Sequence, residues 1–157
     1  MVHRSILALC LCLLSCASVP TTAPATSTTD ADLDAAIRQA RASLDTFMDR
    51  VQTPHANRTF VALKVRFYPP NEVPQDLWVD EVAYTGGVYR GRIGDDIPTL
   101  KLEAGEKVRV NEKDILDWMI VENGKLIGGY TIRLAVQRMA PEERERFLET
   151  LDYSIED

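Results

Sequence analysis

The sequence predicts an α+β fold: a small, twisted antiparallel sheet with an N-terminal amphipathic helix and C-terminal helices. Three observations predict it. Between residues 60 and 127, short runs of alternating apolar and polar residues are separated by glycine and asparagine turns. Before these runs, apolar residues recur every three or four positions, and after them a proline followed by two glutamates is typical of a helix start. A sheet curled toward a small barrel is compatible with the same pattern.

The first residues have the organisation of a secretory signal. His3 and Arg4 form a short basic start, and an apolar run of nine residues follows from Ile6 to Leu14. Because a helix needs about 20 residues to span a bilayer, this run is too short for a membrane span. Leu13-Leu14-Ser15-Cys16 resembles the bacterial lipobox, which implies that residues 1–15 are a lipoprotein signal peptide and that Cys16 is lipidated. An ordinary secretory signal with incidental cysteines is the alternative.

Lipidation of Cys16 would place the protein in the bacterial cell envelope. Two or more acyl chains anchor a protein stably, so we expect Cys16 to hold it on the lipid bilayer. Ala17 stands where aspartate signals inner-membrane retention in enteric bacteria. By that analogy we expect the outer membrane, with the domain facing the periplasm. Residues 16–29 are uncharged and rich in Ala, Ser, Thr and Pro, which predicts a disordered tether behind the lipidated cysteine.

The composition argues against nucleic acid and anionic lipid as main partners and against an intrachain disulfide. Without residues 1–15, the 18 basic and 24 acidic residues of the chain (net charge −6) become 17 and 24 (net charge −7), since only Arg4 is lost. Nucleic acid and anionic lipid headgroups need a basic face, so we expect neither as the main partner. Cys10 and Cys12 leave with the signal peptide and Cys16 carries lipid. The mature chain therefore has no thiol for an intrachain disulfide.

Residues 30–57 are predicted to form an amphipathic helix and a linker. Apolar residues recur at helical spacing from Asp30 to Val51, Thr29 with Asp32 offers a capping box, and Pro54 bars continuation. The polar face of the helix carries more acid than base, unlike helices that lie on membranes. We therefore expect it to pack on the domain.

Residues 58–157 are predicted to form the α+β domain itself. The predicted strands are 60–67, 77–84, 88–93, 107–110, 115–121 and 125–127, with hairpin turns at Gly86-Gly87 and Asn123-Gly124. Segment 130–139 fits a helix and a strand equally well by spacing, and its good helix formers favour a helix. Pro141 opens a last helix that runs through Leu151.

The predicted domain lacks the residues for most kinds of catalysis. From Arg58 to Asp157 there is no histidine or cysteine, and the only serine is Ser154. Ser–His and Cys–His catalysis and His/Cys zinc sites are thereby excluded in the domain, and we expect no metal and no cofactor. His55, in a loop, is more simply a solvated side chain.

Carboxylates are the remaining candidates for chemistry. Paired acids could hydrolyse glycosidic bonds, and clustered oxygen ligands could hold calcium. Neither pattern has a suitable spacing, and solvated acids or turn caps explain these residues more simply. The acids in question are Asp80-Glu81, Asp95-Asp96, Asp114 and Asp117.

Four residues are candidates for binding or for a structural role. Asp117 is the one charged residue of an otherwise apolar run, so we expect it to be half buried and to need donors or a partner such as Arg133. Fixing a turn or a strand register is favoured over a functional role. Trp78 and Trp118 carry large apolar areas, which predicts core packing, with an exposed binding face as the alternative.

Several short segments carry a family resemblance. They are Leu77-Trp78-Val79, Gly91-Arg92-Ile93-Gly94 with Pro98, Gly105-Glu106-Lys107-Val108, Ile115-Leu116-Asp117-Trp118-Met119 and Gly129-Tyr130-Thr131-Ile132-Arg133. In this order, from Phe60 to about Arg133, they resemble the YegJ-like family of small bacterial proteins, a domain of unknown function. That family often has Glu-His just before the first tryptophan, where this chain has Gln75-Asp76. The resemblance implies a family, and neither a reaction nor a catalytic residue.

These observations favour a non-catalytic binding protein of the envelope. Anchoring, small size, acidity and the lack of catalytic groups fit a lipoprotein that binds another protein or an envelope component. One version is an immunity-type antagonist of a secreted toxin. The alternatives are a carboxylate-dependent hydrolase of cell-wall glycans and a structural lipoprotein of envelope maintenance.

Overall fold

The computed structural model describes residues 28–156 of the chain. The expected signal peptide, the expected lipidation site at Cys16 and most of the expected tether lie outside the described residues. None of the helices in the described part of the chain is both long and apolar enough to cross a membrane.

Within residues 28–156, four α-helices and six strands confirm the α+β class. The helices are α1 (Thr28–Ala42), α2 (Leu44–Gln52), α3 (Tyr130–Arg138) and α4 (Pro141–Glu149). The strands are β1 (Arg58–Phe67), β2 (Gln75–Thr85), β3 (Val88–Ile93), β4 (Lys107–Val110), β5 (Ile115–Glu122) and β6 (Lys125–Gly128). Segment 130–139 is thus a helix, as its composition favours.

The strands form one antiparallel sheet in the order β4-β3-β2-β1-β5-β6. Strand β1 lies in the interior, between β2 and β5, and the sheet stays open with β4 and β6 at its edges. The barrel-like alternative is therefore wrong. Both predicted hairpin turns have two residues at positive φ, with Asn123 at 52° and Gly124 at 69° in the β5–β6 hairpin. Two consecutive residues at positive φ are what a tight hairpin turn of this kind requires, and Asn-Gly adopts them with little backbone strain.

The expected helix from Asp30 to Val51 is divided in two at Ser43. The Nε1–H group of the buried Trp118 donates to the Ala40 carbonyl oxygen (3.1 Å) and to Ser43 Oγ (3.0 Å). A buried indole needs an acceptor, and an unbroken helix offers few because its carbonyls are already bonded within the helix. The break therefore supplies the acceptor. Helix α1 also starts at Thr28, which places Thr29 inside its first turn.

The main core lies between one face of the sheet and the two N-terminal helices. Ala40, Leu44 and Phe47 pack there against strand residues. The Phe47 ring centroid lies 5.4 Å from that of Trp118 and 6.1 Å from that of Tyr89. We call this the inner face of the sheet and the opposite one the outer face. The N-terminal helices thus pack on the sheet, as their acidic polar face predicts.

Glu122, at the end of β5, joins helix α2 to the sheet. Its side chain is 5% exposed, and Oε1 accepts bonds from Arg58 Nε (2.9 Å) and Nη2 (2.8 Å). Oε2 accepts a bond from Arg50 Nη1 at 3.0 Å. A buried carboxylate is costly unless its oxygens are paired. Arg58 and Arg50 supply these pairings for Glu122. The sequence did not single out this cluster.

Candidate binding surface

Asp117 is fully buried in β5 and caps the start of helix α3. Its Oδ1 accepts the backbone N–H groups of Trp118 (2.8 Å) and Tyr130 (3.2 Å). Its Oδ2 accepts the backbone N–H and the hydroxyl of Thr131, both at 2.7 Å. The N-cap residue of α3 is Gly129, which has no side chain to accept these bonds. A neighbouring strand therefore supplies the cap.

Of the two alternatives expected for Asp117, the donors are observed and the partner Arg133 is not. Arg133 donates from Nε to the Gly128 carbonyl (2.9 Å), from Nη2 to the Leu126 carbonyl (2.8 Å) and from Nη1 to the Glu156 carbonyl. It thereby fastens the C-terminal segment to β6. Burial raises the pKa of Asp117, and the bonds from Thr131 and the backbone act in the opposite direction. Asp117 is structural in this arrangement, and it is more buried than expected.

The two tryptophans occupy opposite faces of the sheet. Trp118 is 1% exposed and belongs to the inner core, as its apolar area predicts. Trp78 is half-buried on the outer face and packs against the smaller cluster of Ala62, Met119, Val121 and Leu126. Lys64 Nζ lies 6.0 Å from the centroid of the Trp78 ring. Of the two tryptophans, Trp78 is therefore the one placed at a surface that a partner could reach.

An apolar groove of about 450 Å³ lies on the outer face beside Trp78. We call it the aromatic groove. Phe60, 39% exposed, lies at its rim. Its lining residues are Thr59, Phe60, Trp78, Met119, Val121, Ile132, Asp152 and Tyr153.

Five parts of the fold build this groove. Phe60 comes from β1, Trp78 from β2, Met119 from β5 and Ile132 from α3. The fifth part is the C-terminal segment that carries Tyr153. Its neighbour Ser154 donates from its backbone N–H to the Gly124 carbonyl (2.8 Å) and accepts from the Leu126 N–H (2.9 Å). The groove is thus formed by hydrogen-bonded elements and not by a free loop.

Some of the remaining acids form an ion pair or a turn contact. Glu81 pairs with Arg92 at 2.7 Å. Asp96 Oδ1 accepts the Ala104 N–H at 2.9 Å. Burial, together with the nearby carboxylates Asp95 and Glu81, raises the pKa of Asp80. Within residues 28–156, His, Cys, Asp and Glu side chains form no group of three or more that could hold a metal ion.

Sequence reasoning missed most of the groove. The sequence predicts Phe60 only as the start of a strand, and Tyr153 lies beyond the last predicted helix. The alternation 60, 62, 64 on β1 places Phe60 on the same face as Ala62, which was a usable signal. No local pattern indicates that Tyr153 returns to this face, because only the fold brings residues 60 and 153 together.

The fold and the groove define a class: a single-sheet α+β domain with one face covered by helices and the other partly open. Within this class the chain belongs to the bacterial family described as "Uncharacterized protein conserved in bacteria (DUF2314)", which matches residues 30–153.

One relative confirms the YegJ-like resemblance, and a second is similar over a shorter part of the chain. The chain is 30% identical over 98 residues to "Uncharacterized protein YegJ" of Escherichia coli K12, which is 62% of each chain. It is 35% identical over 89 residues to "Putative ankyrin repeat protein NMB1133/NMB1171" of Neisseria meningitidis serogroup B, covering 54% of this chain and 35% of that protein. The matches thus span less than two thirds of either relative. No solved structure matches the chain significantly.

Proposed function

We propose that this protein is a lipid-anchored lipoprotein of the bacterial envelope whose domain binds another protein through the aromatic groove and catalyses no reaction. An immunity-type antagonist of a secreted toxin is one version of this function. The aromatic groove is the observation that carries the proposal, because it places accessible aromatic side chains on the open face of the sheet.

The composition of the groove suits a protein interface. The buried centres of interfaces are rich in aromatic residues and methionine and poor in charge. Tryptophan and tyrosine are also the residues that most often dominate binding energy. Trp78, Tyr153, Phe60 and Met119 line the groove, with Asp152 as its one charged residue. A partner's apolar side chain inserted there would lose its contact with water.

The placement of the acids supports binding over glycan hydrolysis. A carboxylate-dependent hydrolase needs two carboxyl groups that face a substrate. Asp117 is inaccessible, and all four of its hydrogen bonds hold the fold together. Glu81 is engaged by Arg92. These acids are therefore better explained by structure than by chemistry.

Site-specific photo-crosslinking tests the binding function. The photoreactive residue p-benzoylphenylalanine is placed at position 60 of the full chain in the native host, and crosslinked products are identified by mass spectrometry. We expect a defined protein product. The matched control is position 68, where Tyr68 is 65% exposed outside the groove. Equal products from both positions, or none from position 60, would contradict the proposal. A secreted toxin as the product would identify the antagonist version.

Metabolic labelling tests the lipid anchor. Cells expressing the Cys16→Ser variant and fed an alkyne analogue of palmitate should yield an unlabelled protein that no longer sediments with membranes. Cys10→Ser is the matched control, because Cys10 follows the bulky Leu9 and should leave with the signal peptide. Equal labelling of wild type and Cys16→Ser would contradict the proposed lipid anchor at Cys16.

A further inference from the structure

Four basic residues lie side by side on the outer face, on strands β3 and β4. In an antiparallel pair, residues directly opposite each other project from the same face. Arg90 is opposite Arg109, and Arg92 is opposite Lys107. Arg92 is also opposite Asp80, which is opposite the outer-face residue Ala62. We call Arg90, Arg92, Lys107 and Arg109 the basic stripe.

Three of the four charges of the basic stripe have no ion pair within residues 28–156. Arg92 pairs with Glu81, whereas Arg90, Lys107 and Arg109 are exposed and form no ion pair there. Like charges directly opposite each other on neighbouring strands destabilise a sheet. The stripe contains two such pairs, in a chain whose net charge is −6. The repulsion between Arg90 and Arg109 is thus not offset by an ion pair within residues 28–156.

The stripe and the aromatic groove lie on the same face of the sheet, with Asp80 between them. Asp80 separates Arg92 from Ala62 across the sheet, and Trp78 precedes it by two residues on the same face of β2. Because neighbouring strands lie about 4.8 Å apart, the stripe begins roughly 5–10 Å from the groove. Lys64 Nζ lies 6.0 Å from the centroid of the Trp78 ring and brings a positive charge beside the groove, whose own charged lining residue is Asp152. Among acids of this face, Asp76 is paired with Arg66 and Asp80 is half-buried.

From this surface we propose that the partner is a protein with an acidic surface and a protruding apolar side chain, the acid facing the basic stripe and the apolar side chain entering the aromatic groove. This inference rests on the proposed protein-binding function. Charge complementarity across an interface steers association and selects the partner, which fits a positive face on an acidic molecule. A recessed groove receives a side chain, whereas insertion into a membrane needs apolar residues that project from the surface.

A peptide-binding measurement tests the inference. The probe is a fluorescein-labelled synthetic peptide of glutamates around one phenylalanine, and the protein is the full lipidated chain in neutral detergent. We expect it to bind more tightly than the same peptide with lysines for glutamates, or with serine for phenylalanine. Since screening shortens electrostatic range, the affinity should fall as salt rises. Fluorescence anisotropy measures each affinity.

Arg109→Glu separates binding from folding. It places a carboxylate opposite Arg90, so the melting temperature should hold or rise while affinity for the acidic peptide falls about tenfold. Arg146→Glu, on the exposed surface of α4, is the matched control and should leave both unchanged. Equal loss of affinity in the control, or no loss in Arg109→Glu, would overturn the role of the stripe.

Two further outcomes separate this inference from the function on which it rests. If the peptide does not bind but position 60 still crosslinks to a protein, the acidic partner is wrong and the binding function stands. If position 60 also gives no product, both fail. Binding to phosphatidylglycerol vesicles in place of the peptide, absent with phosphatidylcholine, would overturn the protein partner in favour of a membrane.

Discussion

Asp117 shows how one buried carboxylate joins two elements of this fold. Its oxygens accept three backbone N–H groups and one hydroxyl, which leaves the start of α3 satisfied although Gly129 provides no cap. A polar group so deep in a core is costly unless it is fully bonded, and here it is. The residue is therefore indispensable to local structure without touching the surface.

We predict that Asp117→Asn destabilises the domain. The amide replaces one acceptor oxygen by a donor, so at least one N–H group near α3 loses its partner. A buried donor left without an acceptor costs about 1–3 kcal/mol. Urea denaturation should show this loss in the free energy of unfolding. Asp49→Asn, on an exposed position of α2, is the control and should change stability by less than about 0.5 kcal/mol. An unchanged midpoint for Asp117→Asn would refute the capping role.

Because of Tyr89, we expect the free energy of unfolding to fall as the pH rises into the alkaline range. Burial, with smaller effects of nearby Glu112, Tyr84 and Asp45, raises its pKa from 10.0 to about 12. Because the folded-state pKa lies above the unfolded one, the contribution of Tyr89 is fully present below pH 10 and is lost as pH rises toward 12. That contribution is roughly 2–3 kcal/mol.

The measurement is the unfolding free energy of wild type and Tyr89→Phe between pH 9 and 12, together with ultraviolet titration of the tyrosines. Tyr89→Phe should lose less stability than wild type over this range. In the wild type, Tyr89 should ionise later than an exposed tyrosine. Tyr68→Phe, at a position 65% exposed, should retain the wild-type slope. Identical slopes in all three proteins would contradict the burial of the Tyr89 hydroxyl.

Among the elements, the broken N-terminal helix contributes most to the inner core. The break at Ser43 frees an acceptor for the Trp118 indole, and α2 then directs Phe47 between Trp118 and Tyr89. Glu122 fastens the far end of α2 through Arg50. These contacts explain why a helix with an acidic polar face packs on the sheet.

Two phenylalanines distinguish the faces of the sheet. Phe47→Ala should lower the free energy of unfolding by about 3–5 kcal/mol, because it empties a position that is 0% exposed. Phe60→Ala should cost much less, since Phe60 is already 39% exposed at the rim of the groove. Chemical denaturation compares them directly. Equal losses would show that Phe60 is a core residue and would weaken the case for the groove as a binding surface.

At the scale of the whole molecule, two faces of one sheet have different roles. The inner face is closed by α1 and α2, and the outer face is only partly covered by α3 and the C-terminal segment. The groove and the basic stripe lie on this outer face. Substitutions there should therefore alter binding, whereas substitutions on the inner face should alter stability.

We expect residues 28–157 to fold without a disulfide or a metal. They contain no cysteine, so a reducing agent should not shift the melting temperature. A chelator should not shift it either, because in residues 28–156 no group of three or more His, Cys, Asp and Glu side chains could hold a metal ion. Differential scanning calorimetry with and without dithiothreitol or EDTA checks both statements. A melting temperature that falls in EDTA would indicate an oxygen-ligated metal.

The sequence by itself determined the strands and both hairpin turns, and it favoured a helix over a strand for residues 130–138 without deciding between them. These features depend on the alternation of apolar and polar residues, on turn residues and on helix formers. All of these act within a few positions of the chain, so they can be read from the sequence. Only the tertiary structure decided where the N-terminal helix breaks, what Asp117 binds and which face carries Trp78. It also decided that Phe60 meets Tyr153 and that Arg90 lies opposite Arg109. Those outcomes depend on strand register and on packing between residues that are distant in the chain. A local sequence pattern does not specify which distant residue a side chain contacts.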